Sequence, residues 1–350
     1  AVGGGVYFTR LKSIHSIRKL TDYENYNLYR MDIDYAYDLD RLIDRGITDN
    51  QSMINAILAE ALPYLPIHMK APNFGCSAFC TQGTDGHTLM GRNYDFKNDT
   101  SAMLVYCTPK DGYASVAFAA LDNINANTPD ASMAKKLATL TAPFICLDGM
   151  NEKGVSIAVL TLDSDPTYQQ TGKPMIATTL AIRLVLDRAA TTAEAVELLS
   201  KYDMFASSGR DYHFYITDAS GDGRVLEYDC NDPARPLTAT PSRSVTNFFV
   251  MYKDNVLPNQ RNGVYGHGRE RYDAIEEILN ANAGSIDREI AWQALQAASQ
   301  APNPQDVTSN TQWSILYDNT ALTAEAVIRR DWNTKTSYNL VSNVAVTDVG

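Results

Sequence analysis

The chain has few of the residues that build a metal site or a disulfide scaffold. Its five cysteines, Cys76, Cys80, Cys107, Cys146 and Cys230, are too sparse to staple a fold, and the odd count leaves at least one thiol free unless chains cross-link. Cys76 and Cys80 are spaced like a ligand pair, but no second close pair of Cys or His completes it. His15, His68, His87, His213 and His267 are scattered, so neither a structural zinc site nor a bound cofactor is expected. Basic residues are in the minority, 30 Lys and Arg against 41 Asp and Glu, for a net charge of −11. Phosphate binding wants clustered Lys and Arg, so a nucleic-acid partner is not expected. There is no Walker or dinucleotide-binding glycine pattern in context and no repeat of short fixed period. No segment approaches the ~20 apolar residues needed to span a bilayer.

What is present suits a globular protein. Apolar residues make up 45% and charged residues 20% of 350 positions, enough for one large domain or two smaller ones with a sizeable core. The chain opens Ala1-Val2-Gly3-Gly4-Gly5-Val6-Tyr7-Phe8 and turns basic at Arg10, Lys12, Arg18 and Lys19. Residues 1–8 fit the clipped end of a signal or membrane anchor, or a plain disordered terminus. The first reading places the protein outside a bacterial cell or tethered to its membrane; the alternative is cytoplasmic.

Residues 1–75 differ from the rest and read as a structured leader. Tyr23, Tyr26, Tyr29, Tyr35 and Tyr37 crowd a stretch rich in Asp and Asn, and Met31 to Tyr37 alternates as a strand does. Thr48 to Ser52 offers helix caps, Met53, Ile54, Ile57, Leu58, Ala61 and Leu62 follow at helical spacing, and Pro63 stops the run. Pro66 and Pro72 make the approach to Gly75 extended or loop-like. From Cys76 the pattern is rich in strands: Ala102–Thr108, Tyr113–Ala120, Phe144–Met150, Val155–Leu162, Tyr212–Thr217, Arg224–Tyr228, and Ser244–Tyr252 carrying Asn247. A helical block starts at Pro174 and is capped again at Thr191-Thr192-Ala193-Glu194. Arg269–Leu279 and Asp287–Ala298 read as helices, and Gln312–Tyr317 with Ala324–Arg330 as a last hairpin. Strands before and after a helical block give an α+β layout with mostly antiparallel sheets, not alternating βαβ.

The stretch from Gly75 to Phe96 stands out. Asp85-Gly86 lies between two apolar runs, a strong hairpin-turn signal. With Asp85 and Gly86 as a two-residue turn, Thr84 faces His87 and Cys76 faces Asp95 at the open end. Cross-strand Cβ atoms lie roughly 5 Å apart, so a thiol meets a carboxylate, and a thiol beside charged groups is a candidate nucleophile. A buried strand cysteine with a charged neighbour is the plainer alternative. In this register Arg92 faces away from Cys76, and a bulge or strand end must re-aim it. Cys80 shares the Cys76 face and is the rival nucleophile, though it faces Gly91 and lacks a preceding glycine.

Gly75-Cys76-Ser77 with Gly91-Arg92-Asn93-Tyr94-Asp95-Phe96 resembles the start of the choloylglycine hydrolase and penicillin V acylase family. Asp148-Gly149-Met150-Asn151-Glu152-Lys153-Gly154, Thr246-Asn247, Arg271-Tyr272 and Thr311-Gln312-Trp313-Ser314 resemble later blocks of the same family, in order and over residues 76 to about 335. The leader looks more like the propeptides of its acid ceramidase-like and penicillin acyltransferase-like relatives. The resemblance implies a four-layer αββα sandwich of the N-terminal-nucleophile (Ntn) hydrolases with two mostly antiparallel sheets, residues 76–350 being catalytic and 1–75 a propeptide. It implies self-cleavage between Gly75 and Cys76, after which the Cys76 amine serves as base. Asp95 would hold that end, Arg92 favour the thiolate, Asn247 donate to the oxyanion, and Arg271, or Arg269 two residues earlier, act as a supporting charge. Thr161 stands where the family commonly has Asn or Tyr; the resemblance implies that its backbone N–H still serves the oxyanion hole while the substrate contact is altered.

The activity implied is cleavage of linear amide C–N bonds through a Cys76 thioester. The partner is a small N-acyl amide of the bile salt, penicillin V or N-acyl amine or amino acid type. An acyltransferase with an amine acceptor is the alternative, and a thiol protease using His87, His213 or His267 as base belongs to another class. Leader and catalytic chain are expected to stay together, and a homo-oligomer is possible.

Overall fold

Alternation along the strands separates two cores. On the strand Gly75–Gln82, Cys76, Ala78 and Cys80 join one apolar cluster and Phe79 joins another. On its partner Thr88–Asp95, Met90 and Tyr94 go with the first and Leu89 with the second. A strand that feeds a core on each face must lie in an inner layer. The computed structural model, which describes residues 2–63, 65, 69, 75–306 and 309–350, has that layering. Pro66, His68 and Pro72 lie outside the described residues.

One sheet has seven strands, in the order Ser244–Val245, Gly75–Gln82, Thr88–Asp95, Thr311–Asp318, Thr323–Ile328, Thr334–Asn339 and Val344–Val349. The other has nine, running from the leader strands Arg18–Lys19 and Leu28–Ile33 through Ala102–Cys107, Ser115–Ala120, Cys146–Asn151, Ser156–Leu162, Asp211–Thr217 and Arg224–Tyr228 to Leu237–Pro241. Every neighbouring pair is antiparallel except Leu28–Ile33 beside Ala102–Cys107. The sheets face each other, with Gly75–Gln82 against Ser156–Leu162. Helix Thr178–Arg188 covers the outer face of the nine-stranded sheet. Helices Arg269–Ala281 and Arg288–Ala298 pack on each other and on the outer face of the seven-stranded sheet. The αββα sandwich expected from the family resemblance is the observed architecture.

The leader is built into this body. Its helix Asn50–Ala61 starts at a capping box between Asp49 and Ser52 and ends before Pro63, as the capping residues and the proline predict. Tyr35 donates to the Leu140 carbonyl (2.7 Å) and Tyr37 to Asp187 (2.8 Å). Tyr23 reaches Asp331 (2.6 Å) near the far end of the chain. The tyrosine-rich composition of this segment is thereby explained: each ring fills the core or a seam while its hydroxyl finds a fixed acceptor.

Four local readings differ from the structure. The leader strand ends at Ile33 and does not continue to Tyr37. The helix expected from Pro174 begins only at Thr178, because Met175–Ala177 first pairs in parallel with Asp203–Phe205. The single strand Ser244–Tyr252 is broken at Thr246 and becomes a 3-10 turn from Val250. Thr334–Asn339 and Val344–Val349 extend the seven-stranded sheet beyond the expected last hairpin. Thr334–Asn339 is largely polar, and Val344–Val349 is an edge strand whose Val344, Val346 and Val349 are exposed, so neither shows the polar-out, apolar-in pattern of a strand on a core.

Candidate active site

The turn of the cysteine hairpin sets the site. Its loop has three residues, Thr84, Asp85 and Gly86, not two. The Gly83 N–H donates to the His87 carbonyl (2.8 Å) and the Gly86 N–H to the Gly83 carbonyl (3.0 Å), with Gly86 at φ +83°. This is a type I turn closed by a left-handed glycine. The extra residue moves the register by one: Gly75 pairs with Asp95 and Cys76 with Tyr94. The expected Cys76–Asp95 pair is therefore corrected. The same step turns every side chain of the second strand to its other face. Arg92, now opposite Ala78, shares the inner face with Cys76, and no bulge is needed to re-aim it. The irregularity lies one strand further on, between Thr311 and Trp313. Gly91 pairs with Phe79, and a Cβ there would stand 2.4 Å from the Phe79 ring, so this position accepts only glycine without a shift of the ring.

Cys76 sits at the junction of four chain segments and is fully buried. Its N–H donates to Asn247 Oδ1 (3.3 Å), and its carbonyl accepts from Arg271 Nη1 (2.9 Å). Arg271 Nη2 also donates to Asn247 Oδ1 (2.7 Å), and Nη1 lies 3.9 Å from Asp95 Oδ2. Since Arg271 can only donate, the Asn247 amide is oriented with its oxygen toward Arg271 and Cys76. Its nitrogen then donates one hydrogen to the Thr161 carbonyl (2.9 Å) and has a second to give. Asp95 accepts from Thr311 Oγ1 (2.7 Å) and Gln300 Nε2 (2.8 Å). Burial pushes its carboxyl above the usual range, and Arg271 opposes the shift. Arg271, not Arg269, belongs to the junction: Arg269 bonds Asp273 and the carbonyls of Lys253 and Val256.

Arg92 is held from behind. Its Nε donates to Asp148 Oδ2 (3.2 Å) and Nη2 to the Leu147 carbonyl (3.3 Å), while Nη1 is buried with no hydrogen-bond partner among the described residues. The Thr161 hydroxyl is a second such orphan. A buried donor left open is costly unless something fills it. Burial pushes the Cys76 thiol up to about 12, with the Arg92 guanidinium pulling the other way, so in this uncut chain the sulfur is a protonated thiol. Cys80 is also pushed up to about 12 by burial, and the nearby charges acting on it, Asp218 and Asp222, raise it further.

Two supports carried no distinct sequence signal. Asp148 lay within a matching block but its role did not follow from the motif. It accepts from Arg92, from Trp313 Nε1 (3.0 Å) and from the Tyr317 hydroxyl, all fully buried. Its partners lie 56 to 169 positions away, and no local pattern links them. The second is His213, weighed from sequence as a catalytic base. Its Nε2 donates to the Thr246 carbonyl (2.8 Å), and its Nδ1 faces Glu227 Oε2 (3.0 Å). Glu227 in turn accepts from the N–H groups of Val250 (2.8 Å) and Met251 (3.1 Å). The pair thus grips the backbone on both sides of Asn247, which is why the expected strand breaks there. Of the other histidines, His87 bonds Asp318 at the turn end of the hairpin, and His267 bonds Asp163 opposite Asn247.

Two mostly antiparallel sheets between helices, with a buried cysteine near the start of an inner strand, make an Ntn-hydrolase fold. The family model for linear amide C–N hydrolases, choloylglycine hydrolase family, matches residues 76–232 of the chain. Among solved structures, variants of the conjugated bile acid hydrolase from Clostridium perfringens align with a TM-score of 0.57 at 15% identity, over 79% of this chain and 97% of theirs. Penicillin V acylase from Agrobacterium tumefaciens aligns at 0.56 and 18% identity, over 76% of this chain and 86% of that one. At such identities these likenesses speak for the fold.

Proposed function

We propose that the protein is a self-processing cysteine amidase in which Cys76 is the nucleophile, first on its own chain and then on an N-acyl amide. The observation that carries this reading is the junction at Cys76, where its N–H, its carbonyl, Asn247 and Arg271 form one hydrogen-bonded unit. In the uncut chain the Cys76 sulfur attacks the Gly75 carbonyl carbon, the Gly75–Cys76 C–N bond breaks as the thiol proton passes to the Cys76 nitrogen, and water hydrolyses the resulting thioester. This leaves a carboxylate on Gly75 and a free amine on Cys76. A free α-amine has a pKa of roughly 7.7–8.0, suited to taking the thiol proton at neutral pH. Asp95 and Asn247 Oδ1 hold the amine, and Arg92 favours the thiolate through its open Nη1.

Attack on a substrate carbonyl gives a tetrahedral oxyanion, which accepts the second Nδ2 hydrogen of Asn247. The amine returns its proton to the leaving nitrogen, the C–N bond breaks, and water later releases the acyl group from Cys76 as the acid. The Thr161 hydroxyl, without a partner among the described residues, is left for a polar group of the substrate. Candidate substrates are conjugated bile acids, phenoxyacyl penicillins and N-acyl amines or amino acids. Leader and catalytic chain remain one body after the cut, held by the shared sheet and the three tyrosine anchors.

Incubation with an N-acyl amide should give an early burst of amine and an acyl adduct on the chain that begins at Cys76. Free acid should be the main product even with a second amine added. Acyl transfer to that amine at the expense of acid would make the enzyme an acyltransferase, and hydrolysis without any adduct would sink the acyl-enzyme. Because His213 acts by positioning the Asn247 turn, His213→Gln should lower kcat at least about tenfold with KM little changed, a fraction of the 10²–10³ that loss of an oxyanion donor costs. Equal loss in kcat and stability with an unchanged kcat per folded molecule would reduce it to a structural residue.

A further inference from the structure

Beside the Cys76 junction lies a polar cavity of about 570 Å³ whose lining includes Asp163, Arg210, Arg261, His267, Asn303 and Asp306. It adjoins the site through the backbone: His267 pairs with Asn247, and Asp163 follows Thr161 by two residues. We propose that this cavity receives the end of the substrate remote from the scissile bond, and that it takes a carboxylate. The proposal rests on the amidase reading above and adds the substrate class.

The charges in the lining are unequally satisfied. Asp163 has a close partner in His267 Nδ1 (2.7 Å), and Asp306 has one in Arg261 Nη1 (2.9 Å). Among the described residues Arg210, which lines the cavity, makes a single side-chain hydrogen bond, 3.4 Å to Asp163, so most of its five donors are open to a ligand. A planar guanidinium with open donors is matched by a carboxylate, which accepts two parallel N–H bonds. The side-chain amides of Asn303 and its neighbours can donate to the same group. An apolar ring or alkyl chain would instead displace water from these ion pairs and return no hydrogen bonds. The apolar part of a substrate is therefore directed elsewhere.

A carboxylate can reach the cavity from either half of the amide. The amine half would supply it in an N-acyl amino acid, and the acyl half in the monoamide of a dicarboxylic acid. The test uses the processed enzyme and matched substrates: an N-acylglycine and its glycinamide counterpart, and a dicarboxylic monoamide and its neutral counterpart. The carboxylate-bearing member of one pair should show a kcat/KM at least about tenfold higher, the size expected for a hydrogen bond to a charged group. That pair identifies the half that enters the cavity. In Arg210→Gln the ratio should fall toward one through a higher KM for the anionic member, and Arg210→Lys should fall between. Melting temperature and the presence of a chain starting at Cys76 report whether each variant has folded. Hydrolysis with no preference for the anionic members, or a preference that survives Arg210→Gln, overturns the proposal alone. Failure to hydrolyse any of the four overturns the amidase reading with it.

Discussion

Cys76→Ala should yield a single uncut chain, 38.6 kDa for the unsubstituted sequence, with amidase activity reduced by at least about 10³-fold. Both losses follow from one atom. In the proposed mechanism the sulfur is the attacking group in self-cleavage and in substrate cleavage, and the amine assigned as base forms only with the first attack. The substitution removes a buried thiol and leaves a methyl group of similar character, so the fold should survive it. Cys80→Ala is the matched control, because Cys80 lies on the same strand and face and is also buried, yet outside the Arg271–Asn247 junction. It should still be cut and still hydrolyse amides. A Cys76→Ala protein that splits at the same bond, or a Cys80→Ala protein that does not, would move the nucleophile.

The second large effect is on stability. Asp148→Ala removes the counter-ion of a fully buried arginine, together with the acceptor of Trp313 and Tyr317. Breaking one side of a buried ion pair costs about 3–5 kcal/mol, because the remaining charge stays in a place that cannot solvate it. For a domain of this size that corresponds to a fall in Tm on the order of 10 °C. Asp148→Asn keeps an acceptor for the two ring donors and loses only the charge, so its Tm should lie between wild type and Asp148→Ala. Calorimetry on the three proteins checks the order. Activity should fall as well, since Arg92, whose charge acts on the Cys76 thiol, would lose the carboxylate that holds it in place. An Asp148→Ala protein as stable as wild type would mean that Arg92 has another counter-charge.

Much of this was legible in the residues. Caps, Pro63 and apolar spacing locate the leader helix, and alternation locates most strands, because each depends on neighbours in sequence. Cys76, Asn247 and Arg271, singled out on the family resemblance, lie within hydrogen-bond reach of one another. The register of the cysteine hairpin was not legible. Asp85-Gly86 signals a turn equally well with two residues or three, and the choice depends on Gly83 and His87 closing the loop. That one residue decides whether Arg92 faces Cys76. The roles of Asp148 and His213 were hidden for a different reason: their partners come from distant strands, and only the stacking of the two sheets brings them together. The likeness of this chain to penicillin and bile acid hydrolases conveys nothing comparable about the polar cavity, which is built from the side chains of four connecting segments.

The most direct test of the account is N-terminal sequencing and intact mass of the purified protein, resolved by denaturing electrophoresis beside size exclusion under native conditions. Two chains should separate under denaturing conditions, the larger beginning Cys76-Ser77-Ala78, and both should elute together when native. A protein that remains one chain from Ala1 to Gly350 while hydrolysing amides at full rate would contradict the account, because Cys76 would then be working without the free amine assigned as its base.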